Sequence, residues 1–405
     1  MTAVRPVLRG PEFIALAAFM MSVFALSIDI TIPALALIGR DLDVANANDA
    51  QYIVSVLVLG MALGQIFYGP LSDSIGRKPS IYVGLALFSS GSVLSMVATD
   101  FPTMLAGRLL QGLGAAGPRI VIMALVRDQF AGPAMARVMS LVITVFVTVP
   151  MVAPFIGQGI LFVASWRAVF ILLLASSLLV LVWFAIRQQE TLTAAARRPF
   201  ALRPIAAAIH EILASRPALA YTIASGFAFS AVFGYINSAQ QIFHDLYLVG
   251  DYFPFYFSSL TIAVGTATLA NARLVAFVDM HRMCSYSAWA QAVLSTVYFA
   301  VTWAYAGVPP IWGTMAYLAL IFFCLGIMFG NLNALAMTQM GHIAGIAASV
   351  IGTLSWLITV VFGTLIGQSY DGTLLPLVGG FAVLSLLCSA ALAWVRVKHS
   401  PKLGN

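Results

Sequence analysis

Long apolar runs alternate with short polar segments along the whole of this chain of 405 residues. A helix that crosses a bilayer needs about 20 consecutive, mostly apolar residues, and twelve runs reach that length. They cover approximately residues 13–38, 51–71, 79–98, 103–126, 136–162, 167–187, 218–245, 252–276, 283–305, 311–335, 345–369 and 373–396. The pattern therefore predicts an all-α membrane protein with twelve transmembrane helices. Because many spans follow the first run, we interpret it as a span and not as a cleavable signal peptide.

Basic residues lie mostly in every second polar segment. If both termini are on one side, that side receives sixteen of the 20 Lys and Arg residues. They are Arg5, Arg9, Arg77, Lys78, Arg127, Arg137, Arg187, Arg197, Arg198, Arg203, Arg216, Arg273, Arg282, Arg396, Lys398 and Lys402. The opposite segments contain Arg40 and Arg167, and the remaining two arginines fall inside a span. Since basic segments stay in the cytoplasm, we expect both termini to be cytoplasmic.

The longest polar connection, residues 188–217, divides the chain into two sets of six spans. This arrangement predicts two six-helix bundles. Residues 1–187 would form the N-terminal bundle, 188–217 a cytoplasmic linker and 218–405 the C-terminal bundle. A faint internal repeat agrees with this division, since residues 274–282 resemble residues 71–78.

The composition excludes several classes of protein. Only 8% of the residues are charged and 61% are hydrophobic, whereas a soluble domain carries roughly a quarter charged residues. The net charge of +6 comes from bases between apolar runs, so nucleic acid is not an expected partner. The three cysteines show no metal spacing, and the chain has no P-loop, zinc-protease motif or nucleophile elbow. We expect no catalytic residue, no metal, no cofactor and no direct use of ATP.

An ionisable residue inside a span is a functional candidate, because a charge in a bilayer is costly. Asp29 is such a residue in the first span, and Arg108 is one in the fourth. They lie roughly 14 Å and roughly 9 Å from the outer ends of their spans. Similar depth permits pairing, and a carboxylate near a cation in a partly wet cavity suits a reversible proton carrier. Alternatively, Asp29 is an interfacial residue that caps the break before Pro33.

The fourth and fifth spans carry further candidates. Arg108 and Arg119 share a helix face with Gln111, Gly112 and Ala115, and this small, polar face is typical of a cavity wall. Arg119 follows a proline and alternatively only neutralises a kink or snorkels inward. The fifth span bends and permits close packing through Pro150, Pro154, Gly157 and Gly159. Ordinary small-residue packing explains this second group equally well.

The second half has no acidic residue at mid-membrane depth and carries aromatic and amide groups instead. Such a set can line a pocket for a mostly apolar organic ligand with a few hydrogen bonds. Helix packing and interfacial aromatic belts are the alternative explanation. The candidate substrate-binding residues are Gln111, Arg119, Phe233, Tyr235, Asn237, Asn331 and Asn333.

The polar segment from Gly69 to Pro79 is unusually rich in charge for this chain. Asp73 can cap the following helix, and Gly76 permits a left-handed backbone. Arg77 and Lys78 mark the cytoplasmic side. An ordinary hairpin loop explains the two bases but not the positions of the glycines and the aspartate.

This segment resembles the loop signature of the major facilitator superfamily, and Arg108-x-x-Gln111-Gly112 resembles its fourth-span signature. Residues 150–159 resemble its antiporter motif, with Ala153-Pro154 at the usual Gly-Pro and Gln158 between the glycines. Further motifs resemble the bicyclomycin-resistance (Bcr/CflA) branch of drug:proton antiporters. They are Ser27-Ile28-Asp29 with Pro33, Arg127-Asp128, Ser165-Trp166-Arg167 with Phe170, and Ala344-Gly345 followed by Ala348-Ser349. The resemblance covers essentially the whole chain.

The resemblance implies roles for individual residues. Asp29 would be the proton-titrating site and Arg108 its modulating partner. Asp73 would contact the cytoplasmic end of the eleventh span, and Arg77 would bridge toward Asp128. These contacts would form a conformational latch that holds the halves together when the cavity opens outward. The latch residues are Gly69, Asp73, Gly76, Arg77, Lys78 and Asp128.

The resemblance implies a proton-coupled multidrug or antibiotic efflux transporter that works by alternating access in a bacterial inner (plasma) membrane. The expected partners are a small hydrophobic or amphiphilic drug-like substrate, protons and the lipid bilayer, and the protein is expected to be a monomer. A proton-coupled importer or a specific metabolite exporter of the same fold is the first alternative. A membrane enzyme or receptor would show a catalytic constellation or a large soluble domain. A channel would not accumulate its substrate above equilibrium.

Overall fold

The structure, a computed structural model, describes residues 10–201 and 203–395. Within these ranges it contains fourteen α-helices and no strand. The first half comprises α1 (Gly10–Asp29), α2 (Leu35–Asp41), α3 (Tyr52–Ile75), α4 (Arg77–Met96), α5 (Phe101–Gln129), α6 (Gly132–Val163) and α7 (Arg167–Arg187). The second half comprises α9 (Arg216–Gln240), α10 (Phe253–Leu274), α11 (Met280–Ala304), α12 (Ile311–Met337), α13 (Ala344–Gln368) and α14 (Leu375–Trp394). A short helix, α8 (Arg203–Ala214), lies in the connection between them.

The termini contribute several of the bases on which the predicted orientation depends. Arg5, Arg9, Arg396, Lys398 and Lys402 lie outside the described residues. The orientation of the termini therefore stays a prediction.

Eleven segments of the described chain are long and apolar enough to cross a membrane. The first of them, Gly10–Asp41, joins α1 and α2 through a 3-10 turn at Ile32–Ala34. Helix α11 has 25 residues but is not among the eleven. Its serine, threonine and glutamine side chains lower its hydropathy. Because α11 occupies the place of the ninth predicted span, each half still contains six long helices.

The two halves repeat the same pattern of helix packing. In the first half α1 packs against α6 and α7, α5 packs against α3 and α4, and α4 packs against α7. In the second half α9 packs against α13 and α14, α12 packs against α10 and α11, and α11 packs against α14. The halves meet along α3–α13 and along α6–α10. These two contacts are equivalent, because α3 corresponds to α10 and α6 to α13 in the repeat. The two six-helix bundles are therefore confirmed, while their residue boundaries stay a prediction.

Glycines let the central helix of the first half approach its neighbours closely. A Cβ atom at Gly112 would overlap the Leu57 carbonyl of α3, and one at Gly114 would overlap the Phe88 backbone of α4. Small residues at such contacts are the usual means of close packing between transmembrane helices. Helix α5, which carries Arg108 and Arg119, is thereby fixed in the centre of its bundle.

Candidate functional site

Helix α1 breaks in the middle of the first membrane segment, at Asp29. Carbonyls at the end of a helix need partners from outside it, and Thr31 supplies two to the Ile28 oxygen, its hydroxyl at 2.8 Å and its backbone N–H at 3.3 Å. Asp29 is only 4% exposed, and its carboxylate has no hydrogen bond or ion pair with any described residue. Its charge lies within electrostatic range of Tyr235 on α9, whose buried hydroxyl also lacks a partner within the described chain. A lone carboxylate therefore lies where the two halves meet.

Arg108 has no exposed surface and is surrounded by oxygen acceptors. Its Nε donates to the Ile53 carbonyl and its Nη2 to the Ser27 carbonyl, both at 2.8 Å. Its Nη1 donates to Gln111 Oε1, also at 2.8 Å. Gln111 in turn donates to Ser92 Oγ at 2.7 Å. One guanidinium group thereby connects α1, α3, α4 and α5.

The predicted pairing of Asp29 with Arg108 is not a direct ion pair in this structure. Arg108 reaches α1 at Ser27, two residues before Asp29, because carbonyls at the end of a helix carry partial negative charge. The polar face of α5 that was expected to line a cavity is buried at this depth. Gln111 has no exposed surface, and Gly112 packs against α3. Arg108 is thus connected to Asp29 through the backbone of the α1 break.

The predicted antiporter motif of α6 lies against the same break. The helix continues through Pro150 and Pro154. A Cβ atom at Gly157 would overlap the Ile30 carbonyl, whereas the space around Gly159 is open. The two glycines of the motif therefore have different surroundings, and Gly157 is the one that contacts the α1 break.

Six polar residues join the two halves at the end of the molecule that contains α2. Gln51 donates to Gln241 Oε1 at 2.5 Å and to the Gly367 carbonyl at 3.1 Å. Gln241 donates to Asn48 Oδ1 at 2.7 Å. We call this set the amide seam. Its members are Asn48, Gln51, Ser55, Gln241, Thr364 and Gln368.

The other bonds of the amide seam also cross between the halves. Asn48 donates to the carbonyls of Gln368, at 3.0 Å, and Tyr370, at 2.8 Å. Gln368 donates back to the Asn48 carbonyl at 2.8 Å. Deeper in the interface, Thr364 donates to Ser55 at 2.9 Å. All the groups in these bonds are neutral: amides, hydroxyls and backbone carbonyls. One further bond between the halves near this end involves a carboxylate, since Gln158 donates to Asp251 Oδ1 at 3.1 Å.

A cavity of about 390 Å³ lies between the halves toward the opposite end. Gln51 in the amide seam immediately precedes α3, and Gln65 in the cavity wall lies on that helix, roughly 21 Å further along its axis. The walls come from α3, α5 and α6 of the first half and from α9, α12 and α13 of the second. We call it the arginine cavity. Its lining includes Gln65, Arg119, Arg127, Ser225, Asn333 and Trp356.

A cluster of charges lies at the junction of α3 and α4. Arg77 forms an ion pair with Asp73 and donates from Nε to Asp128 Oδ2 at 3.1 Å. Gly76, between the two helices, has a φ of 109°, a conformation that favours glycine. We call Asp73, Arg77, Lys78, Asp128 and Glu190 the charged cluster.

The charged cluster is bonded within the first half and to the connection that follows it. Glu190 accepts from the backbone N–H groups of Arg77, at 3.1 Å, and Lys78, at 3.0 Å, at the start of α4. A helix N-terminus favours such a carboxylate. The last turns of α3 approach the second half at Gly69, where a Cβ atom would lie 3.3 Å from Ser349 Oγ on α13. The Asp73 carboxylate pairs with Arg77 and forms no hydrogen bond or ion pair with a described residue of α13, so its expected contact with the eleventh span stays a prediction.

The candidate substrate residues lie in different surroundings. Arg119 and Asn333 line the arginine cavity. Asn237 lines a second cavity of about 380 Å³ beside the amide seam. Phe233 and Tyr235 are buried, with exposed fractions of 3% and 1%. The structure thus does not gather these five residues into one pocket.

Two further amides of that set have partners within the helices. Asn331 exchanges two hydrogen bonds with Asn271 on α10, at 2.8 and 3.3 Å. Gln111 supports Arg108. Both amides therefore hold helices together in this structure.

The sequence alone did not single out the amide seam or Glu190. A signal for the seam exists, because Gln51, Gln241 and Gln368 all fall at ends of spans that reach the same expected side. No comparable signal marks Glu190, since its partners are backbone amides of a distant helix. These are the main functional candidates that only the structure reveals.

The chain matches a family model and several known proteins over most of its length. The model described as Major Facilitator Superfamily matches residues 17–364. The bicyclomycin resistance protein homolog of Haemophilus influenzae is 29% identical over 380 residues, which cover 89% of this chain and 90% of the relative. The multidrug resistance protein D of Escherichia coli is 24% identical over 420 residues, with coverage of 96% and 98%.

A solved structure shows the same fold. The crystal structure of a D-xylose–proton symporter superposes with a TM-score of 0.70 at 15% identity, covering 95% of this chain and 96% of the symporter. At that identity the likeness concerns the fold alone. Together with the repeated bundles and the extent of the family match, it shows that the chain belongs to the major facilitator superfamily and is a multi-pass membrane transporter, not an enzyme.

Proposed function

We propose that this protein is a drug:proton antiporter that exports small hydrophobic or amphiphilic compounds by alternating access. The observation that carries the proposal is the place of Asp29. This buried carboxylate has no partner among the described residues and lies at a helix break between the two halves. A transporter needs its coupling group where movement of the halves changes the access of water, and this position meets that need.

The surroundings of Asp29 give a physical route to proton coupling. An ionised carboxylate without a partner is costly in a dry interior. Whether Asp29 carries a proton therefore depends on whether water reaches it, and water access changes when the interface opens. Arg108 holds the α1 break by its bond to Ser27. It would keep Asp29 in place while the proton is exchanged.

The two ends of the interface differ in the hydrogen bonds that join the halves, as one state of an alternating-access cycle requires. The amide seam closes one end, and the arginine cavity lies toward the other, where Arg77, Lys78 and Arg127 are found. The positive-inside rule assigns that basic end to the cytoplasm. A substrate would enter the cavity from the cytoplasm and leave when the amide seam opens. The proton gradient across a bacterial inner membrane would supply the energy to a single copy of the chain.

The relatives favour drugs as the substrate class. Their names refer to bicyclomycin resistance and multidrug resistance, at 29% and 24% identity. The apolar part of the arginine cavity, which includes Phe229 and Trp356, agrees with an amphiphilic compound.

The proposal is tested in inside-out vesicles with an acidic interior. We expect saturable accumulation of at least one of three probes, chloramphenicol, ethidium or naphthalene-1-sulfonate, and release of protons from the vesicle as the probe enters. Asp29→Asn should abolish accumulation above equilibrium. Asp43→Asn is the matched control, because Asp43 is exposed in the loop after α2, and it should transport like the wild type.

Two results would contradict the proposal. One is accumulation of a probe by the wild type without any movement of protons. The other is undiminished uphill transport and proton release by Asp29→Asn. Counterflow experiments give the direction, and net movement into the cytoplasm would instead support the proton-coupled importer.

A further inference from the structure

Arg119 lies in the wall of the arginine cavity, and its described neighbours are rings and a sulfur atom. Its guanidinium carbon is 5.8 Å from the centre of the Phe24 ring and 5.5 Å from that of the Trp356 ring. Its Nη1 is 3.3 Å from Met61 Sδ. A guanidinium has five N–H donors, and a thioether is a weak acceptor. Most of the donors of Arg119 therefore have no acceptor among the described residues.

Arg108 shows how an arginine with satisfied donors is bonded on the same helix. Its Nε, Nη1 and Nη2 each have an oxygen acceptor at 2.8 Å. Arg119 lies eleven residues further along α5. It lines a cavity and has no such oxygen acceptors among the described residues. The cation lies over the faces of the Phe24 and Trp356 rings, and these contacts supply no oxygen acceptor to its N–H groups.

Two other polar groups in the cavity wall, an amide and a hydroxyl, lack hydrogen-bond partners within the described chain. Gln65 is 3% exposed and Ser225 is 1% exposed. The Gln65 Nε2 and the Ser225 Oγ are buried without a hydrogen-bond partner within the described chain. Buried polar atoms are normally paired, since leaving them unpaired is costly. The first half contributes Gln65 and the second Ser225, so a polar ligand could satisfy both halves at once.

The charge of the cavity has one sign. Its described lining contains Arg119 and, as an exposed side chain, Arg127, but no Asp or Glu. Much of the remaining wall is apolar and adaptable. Phe229 stacks on Trp356 with ring centres 6.0 Å apart, and Met123 and Met139 also line the cavity. Methionine side chains fit many ligand shapes.

We infer that the arginine cavity binds amphiphilic organic anions, with Arg119 as the ligand of the anionic group. A carboxylate or sulfonate would accept two N–H groups from the edge of the guanidinium. The aromatic or aliphatic body would lie against Trp356 and Phe229. A cationic compound would be repelled by the unneutralised arginine. The inference rests on the proposed function for its role in transport, because it specifies the substrate class, but binding itself needs no proton gradient.

The test compares two probes that differ mainly in charge. Naphthalene-1-sulfonate is a permanent anion, and naphthalene-1-sulfonamide has the same ring system without the charge. In equilibrium binding to the purified protein we expect the sulfonate to bind roughly 10- to 100-fold more tightly. Arg119→Gln should remove this preference, and Arg119→Lys should retain part of it because the positive charge remains.

The control is Arg137→Gln, which removes an exposed arginine of α6 that does not line the cavity. It should leave the ratio of the two affinities unchanged. The ratio is measured within each variant, so a partly unfolded preparation affects both probes equally. Equal affinities in the wild type, or an unchanged preference in Arg119→Gln, would overturn the inference.

The two proposals fail in different ways. If the wild type prefers the anion but shows no proton-linked transport, the antiport proposal fails and the anion site stands. If transport is proton-linked but the two probes bind equally, the anion site fails and antiport stands. Asp29→Asn should keep the preference for the anion even though it stops uphill transport.

Discussion

The amide seam and the charged cluster lie at opposite ends of the interface and differ in both chemistry and reach. The amide seam joins the first half to the second through neutral groups, such as Gln51 with Gln241. The charged cluster holds Arg77 between two carboxylates of the first half. It continues into the following connection through Glu190. In this structure the neutral end holds the halves together, and the charged end organises one half.

The difference suits the movement that alternating access requires. A hydrogen bond between neutral groups contributes only about 0.5–1.5 kcal/mol, because water replaces it when it opens. Hydrogen bonds to charged groups are stronger, at about 1.5–3 kcal/mol, and in the charged cluster only the half-exposed Asp73 contributes less. A seam of amides can therefore open and close, while the charged cluster keeps its bonds and moves as a unit. A substrate or proton needs to favour one state by only a few kcal/mol to shift such an equilibrium.

The largest expected effect comes from the α1 break that separates the two regions. Gly157→Ala would place a methyl group against the Ile30 carbonyl, and overpacking of this kind costs about 1–3 kcal/mol. We expect a lower melting temperature and slower transport. Gly159→Ala is the control, since nothing lies near that position. Both substitutions replace glycine by alanine in α6, so any gain in helix propensity is the same for the two variants. Equal effects of the two substitutions would contradict this account of the motif.

A smaller effect is expected in the charged cluster. Arg77→Gln removes both ion pairs and should lower the free energy of unfolding by about 2 kcal/mol. Arg77→Lys keeps the charge but loses the fork that reaches Asp73 and Asp128 together, so it should fall between Arg77→Gln and the wild type. Thermal unfolding in detergent measures the series. If Arg77→Gln instead opens the amide seam as strongly as it lowers stability, the two ends are not independent.

A substitution in the amide seam should change the populations of the open and closed seam more than the free energy of unfolding. Gln51→Leu removes two of its bonds and should favour the open seam by about 1 kcal/mol, roughly a fivefold change. The labelling rate of a cysteine introduced at Ala50, a buried position of this end, measures the opening. Asn46→Leu is the control, because Asn46 bonds to Asp49 at an exposed position within the first half. Equal labelling in Gln51→Leu and the wild type would show that the seam does not hold this end closed.

The smallest effect on stability is expected for Asp73. Its side chain is 50% exposed, and exposed ion pairs contribute at most about 1 kcal/mol. Asp73→Asn should therefore leave folding nearly unchanged. If the charged cluster acts as a latch in another state of the cycle, the variant lowers turnover more than substrate binding. Normal turnover would count against the latch.

The sequence predicted the parts of the structure that depend on the length of apolar runs. Twelve long helices in two repeated bundles follow from run length, and Asp29 was noticed because a charge inside a run is rare. The sequence predicted a linker between the two bundles, but it did not predict the helix α8 within that linker. Its short amphipathic pattern is weak beside the spans on either side.

The bonding partners of the site could not be predicted in the same way. Two of the acceptors of Arg108 are backbone carbonyls, those of Ile53 on α3 and Ser27 at the end of α1. The Ser27 carbonyl is available because α1 breaks at Asp29. Glu190 likewise bonds to backbone amides of α4. Backbone groups are the same in every residue, so the sequence does not mark them. The amides of the seam look like ordinary span ends until the two halves are placed together.

The most direct test of the central claim measures how the two ends move in response to protons. Spin labels at Ala45 and Asp371 span the amide end, and labels at Ala134 and Thr338 span the other end; all four positions are exposed. In a background without the three native cysteines, we expect the two distances to change in opposite directions across a pH series. Asp29→Asn should remove this response. Distances that do not depend on pH in the wild type, or that respond equally in Asp29→Asn, would contradict the claim that Asp29 couples protons to alternating access.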